Sequence, residues 1–235
     1  MTKLLLADLV IEIDNQYSYI PNKCADYIYN GDKPADISVK VTEEELQKER
    51  DSSETEFPDG YLEYICAYRQ IATKLLDFDA FVMHGAVIQV DNKGIIFTAL
   101  SGTGKTTHML YWRKMLGDKL TIINGDKPII RFFDGVPYAY GTPWAGKENF
   151  NTNSRTELNE ICLIERAEIN KVMPLTGIQI VNVFVKQIYQ PSAPDAISKT
   201  YDLADKLLRY CNLRKICCTK DISAAETAYN AIWGK

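Results

Sequence analysis

The sequence has little of what would signal metal, disulfide or membrane chemistry. Its 235 residues include two histidines, His84 and His108, and six cysteines (Cys24, Cys66, Cys162, Cys211, Cys217, Cys218), none of them in a C-x-x-C pair. That set suits neither a zinc cluster nor a disulfide framework, so reduced thiols are expected. No apolar run approaches the roughly 20 residues needed to cross a bilayer. The short run at 4–7 meets Asp8, Glu12 and Asp14 too early for a secretory leader. Net charge is −4 with no sustained Lys/Arg run, which argues against a nucleic-acid groove. Internal repeats and low-complexity segments are also lacking. These absences point to a cytoplasmic protein with neither nucleic acid nor a membrane as partner.

What is present is the composition of a soluble globular chain, 46% hydrophobic and 25% charged, long enough for one large α/β domain with a small appendage. Strand-like pieces at 9–13, 26–29 and 37–41, separated by Asn30-Gly31-Asp32 and Pro34, predict a small antiparallel sheet in a β-rich region spanning 1–60. Thr42 and Glu45 predict a capping box on a polar helix at 43–51. Tyr61, Ile65, Tyr68, Ala72 and Leu75 recur at spacings of four and three, predicting a helix that buries this face against the main sheet of a second region, 61–235. There, strands are expected at 81–83, 86–88, 95–97, 120–123, 129–133, 136–140, 161–165 and 213–218. Helices are expected at 105–116, 195–210 and the C-terminal segment, which Ser223 and Glu226 would box; 178–189 reads equally as helix or strand. The mixture describes an α/β core.

The strongest signal is Ala99-Leu100-Ser101-Gly102-Thr103-Gly104-Lys105-Thr106-Thr107, placed between an apolar strand and a helix as a phosphate loop (Walker A pattern) requires. Gly102 and Gly104 let the backbone approach an anion, the amides of Ser101 to Thr107 face it, and the helix adds its positive end. Lys105 supplies charge to the outer phosphates and Thr106 a hydroxyl to Mg²⁺. Ala99 stands where a first glycine is usual. Asp126, ending the strand at 120–123 in Asn124-Gly125-Asp126-Lys127, is the carboxylate such a site needs, as metal ligand or as proton acceptor. His84 precedes Gly85 at a strand end and is a candidate to position Asp126, whereas His108 reads as structural. In the turn at 141–148, Lys147 is placed to meet a phosphate and Trp144 to cover a site; Arg155 is a second candidate cation.

His84-Gly85, Ser101-Gly102-Thr103-Gly104-Lys105-Thr106-Thr107 and Asp126 together resemble the HPr kinase/phosphorylase and phosphoenolpyruvate carboxykinase group. The loop wording is closer to the carboxykinases. The compact spacing, with His84 roughly twenty residues before Lys105 and Asp126 roughly twenty after it, is closer to the HPr kinase catalytic domain. The resemblance covers 81–166. It implies a P-loop kinase fold that uses ATP and Mg²⁺, in which two adjacent aspartates end the acid strand, one assisting the attacking hydroxyl and one helping to hold metal. Here Lys127 stands at the second of those positions. The function expected is therefore transfer of the ATP γ-phosphoryl to a hydroxyl of an unidentified protein, peptide or small molecule. The alternative is a nucleotide-binding regulatory module with weak or no turnover. Homo-oligomerisation is left open.

Overall fold

Alternation of buried and half-exposed residues in Thr2–Leu6 (β1) and Leu9–Asp14 (β2) makes a hairpin, closed by Ala7 and Asp8 at φ of 52° and 59°. Positive φ at both central residues matches the strand twist of a two-residue turn. A computed structural model describes residues 1–175 and 178–234, which divide into two compact units, Met1–Phe78 and Asp79–Lys235. In the first, the chain passes through α1 (Tyr19–Lys23) and a 3₁₀ turn at Ala25–Tyr27 before β3 (Ile37–Lys40) joins β2 in parallel. The sheet is thus mixed rather than antiparallel, and 26–29 is not a strand: Ile28 alone bridges to Leu4.

The capping box of Thr42 and Glu45 is formed at the start of α2 (Glu43–Ser52). The helix expected next, α3 (Asp59–Lys74), packs against α1, α2 and β3 and so belongs to the first unit; the division falls after Phe78, not after residue 60. Its buried face also differs. Ala72 and Leu75 are buried as expected, with Leu62, Tyr64, Cys66, Ala67 and Ile71 beside them, whereas Tyr61, Ile65 and Tyr68 are half-buried. Spacing alone picked out residues at the margin of the buried face as well as at its centre.

The second unit runs β4 (Ala80–Val82), β5 (Ala86–Val90), β6 (Lys93–Thr98), α4 (Lys105–Leu116), β7 (Leu120–Asn124), β8 (Ile129–Phe133), β9 (Val136–Tyr140), β10 (Arg155–Arg166), β11 (Lys171–Pro174), α5 (Ile178–Phe184), α6 (Pro194–Tyr210), β12 (Asn212–Cys218) and α7 (Ser223–Trp233). Its strands lie in the order β4-β8-β9-β10-β6-β5-β7, with β12 added on β10 and β11 on β12. The result is a mixed α/β architecture. β6, β10 and β12 are parallel, and β5 is antiparallel to both β6 and β7. The carboxyl ends of β6, β7, β10 and β12 therefore share one edge of the sheet, where open α/β sheets bind ligands.

Helices α4 and α7 close one face of this sheet around Trp112, which is fully buried against the rings of Phe97, Tyr229 and Trp233. Ser223 is the first residue of α7 rather than its cap. Its N–H donates to the Asp221 carboxylate at 2.9 Å, and with Ile222 at the cap position the expected box with Glu226 does not form. The ambiguous stretch from 178 becomes a helix followed by a 3₁₀ turn, Val185–Gln187. All six cysteines are free thiols. Among the described residues no helix is long and apolar enough to cross a membrane.

Candidate functional site

The fully buried Ile95, Ile96 and Phe97 carry β6 into the core and aim the glycine-rich loop at the ligand edge. Within the loop Gly102 and Gly104 adopt φ of +75° and +119°, a region that a side chain disfavours. Gly104 is the N-cap of α4 and no side chain caps this start, so the positive end of the helix is presented to whatever binds there. Lys105 is only 8% exposed and donates from Nζ to the Ala99 carbonyl at 3.1 Å. Burial pulls its pKa below the ordinary lysine value; the Asp126 carboxylate opposes that pull and the Lys127 ammonium adds to it. Lys105 follows β6, and Asp126 and Lys127 follow β7, so the three stand at the same edge of the sheet.

Asp126 is placed by backbone rather than by chance. The fully buried Asn124 donates from Nδ2 to the carbonyl and hydroxyl oxygens of Thr142, both at 3.0 Å. Its Oδ1 accepts the N–H groups of Asp126 and Lys127, both at 2.8 Å, an Asx turn that fixes the corner after β7. From the other side Gly85 N–H donates to the Asp126 carbonyl at 2.8 Å. Glycine is required at 85 by close approach: a Cβ there would lie 2.7 Å from Ile96 Cγ1.

The carboxylate of Asp126 is bounded on both sides. His84 Nε2 lies 3.0 Å from Oδ1, and Lys127 Nζ pairs with Oδ2. His84 is itself held through its N–H, which donates to the Gln187 carbonyl at 2.6 Å. Burial raises the Asp126 pKa, but hydrogen bonds from His84 and Lys127 outweigh it, and the carboxyl sits below its usual range. Gly146 packs beside this group, since a Cβ on it would lie 3.3 Å from Asp126 Cβ, and the next residue, Lys147, is exposed at the margin of the site. Trp144 is buried within its turn, its carbonyl accepting Lys127 N–H at 3.1 Å, rather than spread over the site as a cover.

Arg155 does not reach this edge. It opens β10, whose Leu158 pairs with Gly94 near the start of β6, so it stands at the opposite end of that strand from Arg166. Its guanidinium instead bonds the Tyr140 hydroxyl at 2.9 Å and packs over Tyr138. The cation that does meet the loop is Arg166, at the other end of the same strand. Its Nε donates to the Thr103 carbonyl at 3.0 Å and a terminal nitrogen donates to the Gly102 carbonyl. The one signal for it was a charged residue directly after an expected apolar strand. Arg166 stands between two clefts, of about 380 and 250 Å³. The first is bounded by Leu100–Thr103 and 163–166, the second by the start of α4, His108, Tyr111 and 218–220.

His108, buried as expected for a structural histidine, accepts from Trp112 Nε1 at 3.0 Å, and burial pushes its pKa down to about 4. Among the described residues no group of three or more His, Cys, Asp or Glu is arranged to hold a metal ion.

The chain matches no protein-family model. It matches no curated protein. Among solved structures it is similar to the HPr(Ser) kinase/phosphatase from Coxiella burnetii, with a TM-score of 0.37 and 10% sequence identity, over 65% of this chain and 97% of that one. Likeness at that level carries no weight for function, which rests on the geometry above.

Proposed function

We propose that the unit from Asp79 onward is an ATP-dependent phosphotransferase with a P-loop kinase core of HPr kinase type, moving the γ-phosphoryl group of MgATP to a hydroxyl of a protein, peptide or small molecule. One observation carries the reading: an uncapped helix start framed by Gly102 and Gly104, the buried Lys105, and an Asp126 fixed by His84 and Lys127 converge on one sheet edge. A buried lysine held by a single carbonyl is costly unless an anion arrives.

Amides of the loop and the first turn of α4 would cradle the inner phosphates, with Thr107 at the helix start, while Lys105 turns from the Ala99 carbonyl to the outer ones. Thr106 and Asp126 would face the Mg²⁺. With one carboxylate and one hydroxyl they fall short of a resident metal site, so the ion enters as part of the nucleotide substrate. An ionised carboxylate offers about four lone-pair sites, and two on Asp126 are engaged. The remainder would accept the hydroxyl proton of the acceptor. The acceptor oxygen bonds to the γ-phosphorus, the bond to the β,γ-bridging oxygen breaks with its electrons leaving on ADP, and the proton passes to Asp126. Because the carboxyl is a weak base, that proton moves late, as a loose transition state allows. His84 is a positioning residue and Lys147 a candidate contact for the acceptor.

A second reading, nucleotide binding without turnover, is favoured by the ammonium of Lys127 already seated on the one acid. ADP formation with and without candidate acceptors separates the two. The test of the site itself is Lys105→Ala. The variant should keep its circular dichroism, because removing a buried charge relieves a desolvation cost, and should lose ATP turnover by about 10² or more. Undiminished turnover in the folded variant would sink the reading.

A further inference from the structure

Asp126 carries its own counter-ion, and that ion is built in. Lys127 is anchored along its whole peptide: its N–H reaches Asn124 Oδ1 at 2.8 Å and the Trp144 carbonyl at 3.1 Å, and its own carbonyl accepts from the Thr142 hydroxyl at 2.7 Å. Only the side chain is free to adjust, and with 38% exposure it lies at the open side of the site, paired with Asp126 Oδ2. Lys105 opens α4 after β6, and Asp126 and Lys127 follow β7, so both lysines stand at the one edge where those strands end.

The charge balance follows. Two ammonium groups and the positive end of α4 stand against a single carboxylate, leaving an excess of positive charge where a polyphosphate would sit. A divalent ion at a phosphate site ordinarily supplies that excess, and is held by one or two protein carboxylates plus phosphate oxygens. Here both oxygens of the single carboxylate are already engaged, one by His84 and one by the Lys127 ammonium, and no second acid is grouped with it among the described residues.

We propose that Lys127 is a built-in cation of the phosphate site, so that this protein binds nucleoside triphosphate with little dependence on a divalent ion. The proposal rests on reading the site as a nucleotide site. It concerns affinity: the lysine takes over the charge-offsetting part of the ion's task, and Asp126 holds the ammonium in register for the phosphates.

The experiment is calorimetric titration of the full chain with ATP, once with excess Mg²⁺ and once with EDTA. For the wild type the two dissociation constants should agree within about threefold. For Lys127→Asp, which puts a second carboxylate in place of the ammonium, they should differ by about tenfold or more, a typical coupling between two bound ligands. Lys127→Met should weaken ATP binding in EDTA by about tenfold, the loss of one charge contact worth about 1.4 kcal/mol. This variant also answers the question if Lys127→Asp does not fold. A wild type that binds in Mg²⁺ but more than threefold weaker in EDTA overturns the inference and leaves the nucleotide site standing. A Lys127→Met protein that binds like wild type in EDTA also overturns it. Absence of ATP binding in both buffers overturns the nucleotide reading and this inference with it.

Discussion

Two carboxylates in the second unit are compensated by cations, at opposite ends of the strand that leads into the glycine-rich loop, and they differ in what surrounds them. Glu160, 1% exposed and paired in register with Ile95, accepts from Arg214 Nε at 2.9 Å and Asn212 Nδ2 at 3.1 Å, with Lys93 Nζ at 3.9 Å. Asp126, 21% exposed, has His84 and Lys127 on its oxygens and Lys105 within electrostatic reach. At Glu160 the charges close on one another and the carboxylate has no open side. At Asp126 two lysines likewise stand against one acid, but the group opens to solvent beside an uncapped helix start. Pairing and burial alone thus describe a structural ion pair; an excess of one sign at an open sheet edge describes a site that awaits a ligand of the other sign.

The comparison breaks most easily through stability. Glu160→Ala removes the acceptor of Arg214 and Asn212 and leaves a gap beside the core, and should lower unfolding free energy by about 2 kcal/mol, the scale of lost hydrogen bonds to a charged group. Urea unfolding measures this, and ATP affinity of the folded fraction should be unchanged. If instead Asp126→Ala cost more stability than Glu160→Ala, the roles assigned to the two carboxylates would be reversed.

A second effect sharpens the contrast between a titratable group in the site and one sealed beside it. His108 lies on the first turns of α4 yet is 3% exposed, with a folded pKa of about 4 against an ordinary value of 6.5. Its folded value is depressed, so between pH 6.5 and 4 the unfolded chain binds a proton that the folded chain refuses. Stability therefore falls as pH falls through that window, by an amount on the order of 3 kcal/mol, and is fully present above it. His108→Gln, which keeps an acceptor for Trp112, should flatten the wild-type decline; an equal decline in the variant would assign it to other groups.

How much of this was legible beforehand varied with the kind of signal. The helix at 105–116 has the bounds read from sequence, because Gly102 and Gly104 punctuate its start and apolar β6 precedes it. Asp126 and His84 were picked as candidates, and the antiparallel seating of β5 between β6 and β7 brings them within 3.0 Å. Arg155 and Arg166 show the limit. Both flank one strand, and only the parallel register with β6 tells which end meets the loop. β1 and β11 escaped notice for local reasons: Thr2–Leu6 reads as an apolar start without alternation, and Lys171–Pro174 is short and ends in proline. The tyrosine spacing of α3 misled because aromatic residues satisfy a helical period at the edge of a buried face as well as at its centre.

The finest test concerns Asp126 alone, because its two candidate roles predict opposite changes in nucleotide affinity. Asp126→Asn keeps the shape and the backbone contacts with Asn124 and Gly85. The stranded Lys127 is 38% exposed and water solvates it, so stability should change by less than about 1 kcal/mol. If the carboxylate receives the acceptor proton, transfer should fall by about 10². ATP affinity should hold or rise, since deleting one negative charge enlarges the positive excess that attracts phosphate. If it chiefly holds Mg²⁺, ATP affinity in Mg²⁺ should fall and transfer should recover as Mg²⁺ is raised. Steady-state transfer and ATP titration, each run against Mg²⁺ concentration for wild type and Asp126→Asn, distinguish the two. A variant matching wild type in both would remove Asp126 from the site, and with it the contrast to Glu160, because neither carboxylate would then serve anything but the fold.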